Sequence, residues 1–192
     1  MIFRIAIVSL ILLGGCRNPK NNDSLGFQVE IDRVFINYYE NDSLNKARIY
    51  VIPRIYYDFN VVNSSSDSVT VLLNTHFNRD ADEPPYLYIC FEYSGVKNTL
   101  LLTEYESINP LIFTPNSVDG FIVGIPISEF LENDLYKHES ELSFMKYVAN
   151  HGVVHYSNPY PEENKKILSS QTIRKSKNFE IEFRDLDDTA VE

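Results

Sequence analysis

Arg54-Ile-Tyr-Tyr-Asp-Phe-Asn-Val-Val-Asn63, then Ser64-Ser-Ser-Asp67, then Ser68-Val-Thr-Val-Leu-Leu73 is the stretch on which the fold turns. Ile55, Tyr57, Phe59 and Val61 take every second place, with Tyr56, Asp58, Asn60 and Val62 between them. Successive side chains of a strand point to opposite faces, so this period of two buries one set and offers the other to solvent. Val69, Val71 and Leu73 repeat the pattern after Asn63–Asp67, a cluster of turn formers. Residues 54–76 are therefore expected to form a β-hairpin. Pro53 has no N–H to give a ladder, which fits a bulge or an edge position just before the run.

The same period recurs on either side. Phe27, Val29 and Ile31 alternate with Gln28, Glu30 and Asp32, and Phe179, Ile181 and Phe183 alternate with Glu180, Glu182 and Arg184. Tyr86–Tyr93 and Thr99–Tyr105 read as a second hairpin across residues 94–98, with further strands at Gly120–Ile125 and Val153–Tyr156. One segment departs from this pattern. Ser128 can cap a helix that carries Glu129 and Glu132 in its first turn, and Leu135, Leu142, Met145, Val148 and Ala149 continue an apolar stripe toward Gly152. One helix or a broken pair is expected over 128–150. Many short strands with turn signals between them predict a mainly β domain over 27–184. Its expected form is an immunoglobulin-like antiparallel β-sandwich with a helical insertion, followed by an acidic tail over 185–192.

The chain begins with one basic residue, Arg4, an uncharged run from Ile5 to Leu13, and then Gly14, Gly15 and Cys16. A membrane-spanning helix needs about 20 apolar residues, so this run is too short to span and reads as the core of a signal peptide over 1–15. Leu13-Gly14-Gly15-Cys16 resembles the lipobox of bacterial lipoproteins. That resemblance implies cleavage before Cys16, acylation of its sulfur and attachment to a membrane through the lipid. Residues 16–26, polar and rich in turn formers, then serve as a tether, either as a deliberate stand-off or as a spacer left by processing. An aspartate directly after the lipidated cysteine resembles an inner-membrane retention signal in two-membrane bacteria. Arg17 stands there instead, so the outer membrane is the expected address. With Cys16 committed to lipid, Cys90 has no disulfide partner and reads as a small buried hydrophobe within Tyr86–Tyr93.

The 192 residues carry 17 Lys and Arg against 27 Asp and Glu, a net charge of −10, with no basic block longer than Arg174-Lys175 plus Lys177. Nucleic acid is thus not an expected partner, and a polybasic membrane patch is not the expected anchor. Asn78, Asp80 and Asp82 place oxygen ligands at alternate positions, as in the opening of a calcium loop. Glu83 and Ile89 replace the glycine and the bidentate glutamate of an EF-hand, which leaves a looser calcium site or a solvated acidic turn. His151 and His155 have the spacing of a zinc pair on a helix, but Gly152 lies between them and is expected to end the helix. His138-Glu139 lacks the second histidine of a zinc-protease motif. No nucleophile elbow and no glycine-rich phosphate cradle occurs.

Thirteen tyrosines with no tryptophan are the more informative excess. In the doublets Tyr38-Tyr39 and Tyr56-Tyr57 strand geometry sends one ring inward and one outward. The displayed rings suit sugar stacking or a protein partner, unless they cover the rim of the domain. Ser24, Ser43, Ser68 and Thr189 follow an aspartate and precede an aliphatic residue or alanine. In this they resemble the sites that a Bacteroidetes-type system O-glycosylates on exported proteins. The expected function is a lipid-anchored cell-envelope protein acting as a binding or assembly module, with a protein partner in the envelope. A glycan-binding surface lipoprotein and an envelope hydrolase are the alternatives.

Overall fold

The computed structural model describes residues 26–38, 54–75, 86–104, 110–126, 141–158, 160 and 166–185. They form a mainly β body with one helix. The strands are β1 (Phe27–Tyr38), β2 (Arg54–Asn63), β3 (Val69–Val71), β4 (Asn74–Thr75), β5 (Leu87–Tyr93), β6 (Val96–Leu101), β7 (Thr103–Glu104), β8 (Leu111–Phe113), β9 (Ser117–Pro126), β10 (Val153–Tyr156) and β11 (Gln171–Asp185), with α1 (Glu141–His151) before β10. One sheet runs in the order β4-β7-β9-β2-β1-β11-β10-β5-β6, and β3 pairs with β8 in a second, two-stranded sheet.

The expected sandwich of two antiparallel sheets is not what forms. The large sheet is mixed, because β1 and β11 run parallel, and it curls into a half-barrel. Its two ends approach through one run of chain: β6 pairs with β5, passes Leu102 and becomes β7, whose Thr103 pairs with Gly124 of β9. Asn74 staples that junction. Its amide donates to the carbonyls of Leu87 and Leu102, and its Oδ1 accepts from the N–H of Tyr86 at 2.9 Å.

The expected hairpin over 54–76 is also corrected. Both edges of β2 are taken, one by β1 and the other by β9, so β3 has no edge of β2 to join and pairs with β8 instead. The turn formers do turn the chain, and Asn63 fixes them. Buried completely, its Nδ2 donates to the carbonyls of Asp67 (3.0 Å), Phe113 (3.1 Å) and Thr114 (2.9 Å), while its Oδ1 accepts from the N–H and hydroxyl of Ser65. The second hairpin forms as β5 and β6, tighter than expected, with Ser94 and Gly95 both at positive φ (51° and 76°) as a two-residue type I′ turn demands.

The core lies inside the curl. Phe27, Val29 and Ile31 face it, then Val34 and Ile36, so the alternation of β1 slips by one residue at Asp32. The register shows the cause. Ile31 pairs with Phe59 and Arg33 with Asp58, which leaves Asp32 as a bulge held by the hydroxyl of Ser176 at 2.9 Å. The helix of the expected 128–150 window is described from Glu141 onward and packs Phe144, Met145, Val148 and Ala149 into the same core. The ring of Phe144 meets Phe91 and Tyr93 edge-on at 5.9 and 5.0 Å. Lys175 satisfies the helix C-terminus, its ammonium donating to the carbonyls of Ala149 (3.2 Å) and Asn150 (2.9 Å).

Candidate functional site

The slip at Asp32 decides what the convex face of the sheet displays. Beyond it, Arg33, Phe35 and Asn37 point away from the core, beside Tyr56 and Asp58 of β2 and Glu182 and Arg184 of β11. Phe35 stands directly between Tyr56 and Glu182 in the ladder, and Tyr56 is followed by Gly124 on β9. A side chain at Gly124 would crowd the Tyr56 ring, with its Cβ 3.1 Å from Cδ1, so the glycine lets that ring lie against the sheet.

Phe35 is only 5% exposed although it faces outward. Two guanidinium groups cover it, that of Arg184 at 3.8 Å from the ring centroid and that of Arg33 at 4.5 Å. Carboxylates fix both cations: Arg33 lies 3.2 Å from Asp58 and 3.7 Å from Glu182, and Arg184 Nε donates to Glu182 at 2.8 Å. The hydrogen bond from Arg184 is the main cause that lowers the Glu182 pKa, so this carboxyl stays ionised. The Oδ1 atom of Asn37 is buried and has no hydrogen-bond partner among the described residues. The result is an aromatic and ion-paired strip across three strands, suited to a flat polar partner that can stack on Tyr56 and bond to the charges around Phe35.

A second feature is a notch of about 350 Å³ at the fork where β10 begins and β11 leaves it. Ile31 and Ile173 lie at its base, and His151, Arg174 and Lys175 line it. The His151 ring stacks on Tyr147 at 4.3 Å, with Nδ1 3.0 Å from the Tyr147 carbonyl oxygen. Desolvation lowers the pKa of Lys175, whose amine is turned toward the helix end.

Of the four tyrosines singled out in the sequence, Tyr56 is partly exposed on the strip and Tyr57 is 1% exposed inside the core, as the alternation requires. Tyr57 therefore offers no ligand surface. Tyr38, at the end of β1, packs partly buried against the core, and Tyr39 lies outside the described residues. Ser68 is partly exposed just before β3. Cys16, Ser24, Ser43, Asn78, Asp80, Asp82 and Thr189 lie outside the described residues, as does His138-Glu139. His151 ends the helix while His155 sits on β10, stacked on Tyr88 (5.4 Å) with Nδ1 3.2 Å from the Thr172 hydroxyl, so the two rings occupy different elements. Cys90 is buried with its sulfur 3.6 Å from the hydroxyl of Thr99.

Sequence reasoning passed over Arg33, Phe35, Asp58, Glu182 and Arg184. The available signal was the step of three from Ile31 to Val34, which turns Phe35 to the opposite face from Phe27. Comparison with protein-family models, curated proteins and solved structures finds no match.

Proposed function

We propose that the protein is a lipid-anchored binding or assembly module of a bacterial cell envelope, held at the outer membrane through Cys16. The observation that carries the anchor is the sequence Arg4, Ile5–Leu13, Gly14-Gly15-Cys16, a short apolar run ending at a lipidation signal. A fully acylated cysteine buries more chains than the single one that gives only marginal binding, so anchoring needs no basic patch. The strip around Tyr56 and Phe35 supports the binding half of the reading: it sets an accessible ring beside fixed charges on a rigid sheet.

Inhibition of lipoprotein signal peptidase with globomycin should accumulate the unprocessed precursor, and Cys16→Ala should abolish palmitate labelling and release the protein from membranes. Globomycin-insensitive processing of the wild-type chain would refute the anchor. A glycan partner is the second reading, favoured by the partly exposed Tyr56 ring beside Asp58. It predicts glycan-array binding that Tyr56→Ala removes, and an array silent for the wild-type protein would rule it out.

A further inference from the structure

β10 pairs with β11 over only three residues, Gln171, Thr172 and Ile173. β11 is paired with β1 at Arg174 and Lys175 and again from Glu180 to Asp185, and over Glu180–Arg184 it meets no strand on its other side among the described residues. A strand edge without a neighbouring strand is a template for another. The inner flank of this edge is apolar: Phe179 and Ile181 pack partly buried against the core, and Phe183 is 45% exposed, with the Lys146 ammonium 4.7 Å from its ring. Its outer flank alternates Glu180, Glu182 and Arg184.

We propose that this edge is a dimerisation surface on which a second copy of the chain adds its own β11, antiparallel, about a two-fold axis at Glu182. The register follows from the side chains. With Glu182 on the axis, Ile181 lies opposite the second copy's Phe183, and Glu180 lies opposite the second copy's Arg184. Each of these pairs occurs twice by symmetry. The one meeting of like charges, Glu182 with its copy, is offset within each subunit by Arg184 at 2.8 Å and Arg33 at 3.7 Å. Sliding the register to bring Ile181 onto its own copy would set Glu180 against Glu182 twice, which charge disfavours. The two half-barrels then share one continuous sheet, and Phe183 is covered.

This deepens the assembly reading by naming the partner, and it fails separately from it: the anchor test reads Cys16, whereas the pairing involves β11 alone. Full-length protein carrying Glu182→Cys, oxidised in isolated membranes, should give a reducible band of twice the monomer mass. Opposed residues of antiparallel strands have the Cα separation a disulfide needs. Asn60→Cys, exposed on β2 two strands from the edge, should give no more of this band than the unaltered protein. In the Glu182→Cys background, Glu180→Arg should reduce crosslinking severalfold, and adding Arg184→Glu should restore it. Sedimentation of the unaltered protein in detergent should show two chains per particle. One chain per particle, crosslinking no stronger than at residue 60, a crosslinked band of another mass, or indifference to the charge swap would each overturn the proposal.

Discussion

Tyr57 and Tyr156 are both 1% exposed, both inward-facing and both in the same core, yet removing their hydroxyls should move stability in opposite directions. The Tyr57 hydroxyl has no hydrogen-bond partner among the described residues, so folding strips it of water without replacement. A buried polar group left unmatched costs about 1–3 kcal/mol. Tyr57→Phe keeps the ring and its packing, and should leave stability unchanged or raise it by about 1 kcal/mol, part of the gain being lost to the small void left by the oxygen. The Tyr156 hydroxyl instead accepts from the N–H of Leu72 at 3.1 Å, tying the chain between β3 and β4 to β10. Tyr156→Phe removes that bond and leaves a part-buried N–H without its acceptor, a loss of about 1–2 kcal/mol. Urea unfolding of the two variants in the same buffer as the wild-type protein should therefore separate them by about 2 kcal/mol. The alkaline limb gives an independent check. Burial raises the Tyr57 pKa far above its ordinary value and pushes that of Tyr156 up to about 12. An acid whose pKa is raised on folding holds its stability below the unfolded value of 10.0 and loses it as the pH climbs beyond. Wild-type stability should thus fall above pH 10 and fall less steeply in either variant. Equal or greater destabilisation by Tyr57→Phe than by Tyr156→Phe would refute the reasoning, because it would mean the Tyr57 hydroxyl is satisfied.

Desolvation lowers the pKa of His155 from its ordinary 6.5, so the unfolded chain takes up a proton there before the folded one does. Stability should decline as the pH drops below 6.5, and His155→Gln should flatten that decline in thermal melts recorded between pH 7.5 and 5. Gly152→Ala should cost about 2 kcal/mol or more by urea unfolding, since the new Cβ would lie 2.6 Å from the Val148 carbonyl oxygen and against Ile89. Asn63→Ala should cost about 2–3 kcal/mol in the same assay, because several buried and part-buried backbone groups lose their partner together. Asn63→Asp should recover little of it, having no N–H to donate.

What the alternation of residues carries, and what it leaves open, can be seen on β1 and β2. In β2 the parity of Ile55, Tyr57, Phe59 and Val61 is unbroken, so the inward set and the burial of Tyr57 follow from spacing alone. In β1 the parity changes at Asp32, and a reader who stops at the first three apolar residues loses Phe35 and the strip built round it. Partnership is a different matter. Parity says which face a side chain takes but nothing about which strand lies alongside, and so β2 looked like one arm of a hairpin when its two edges belong to β1 and β9. The choice of β11 as the parallel neighbour of β1 joins opposite ends of the described chain and rests on contacts no local pattern contains, such as Arg33 with Glu182 and Ser176 with Asp32. The strip inherits that dependence, since its two cations come from β1 and β11 and its two carboxylates from β2 and β11. Each of those residues alone looks like an ordinary charge on a solvated strand. Only the parallel register sets Arg33 and Arg184 over one ring, and a substitution that shifted that register by a single residue would scatter the strip while leaving every local propensity intact.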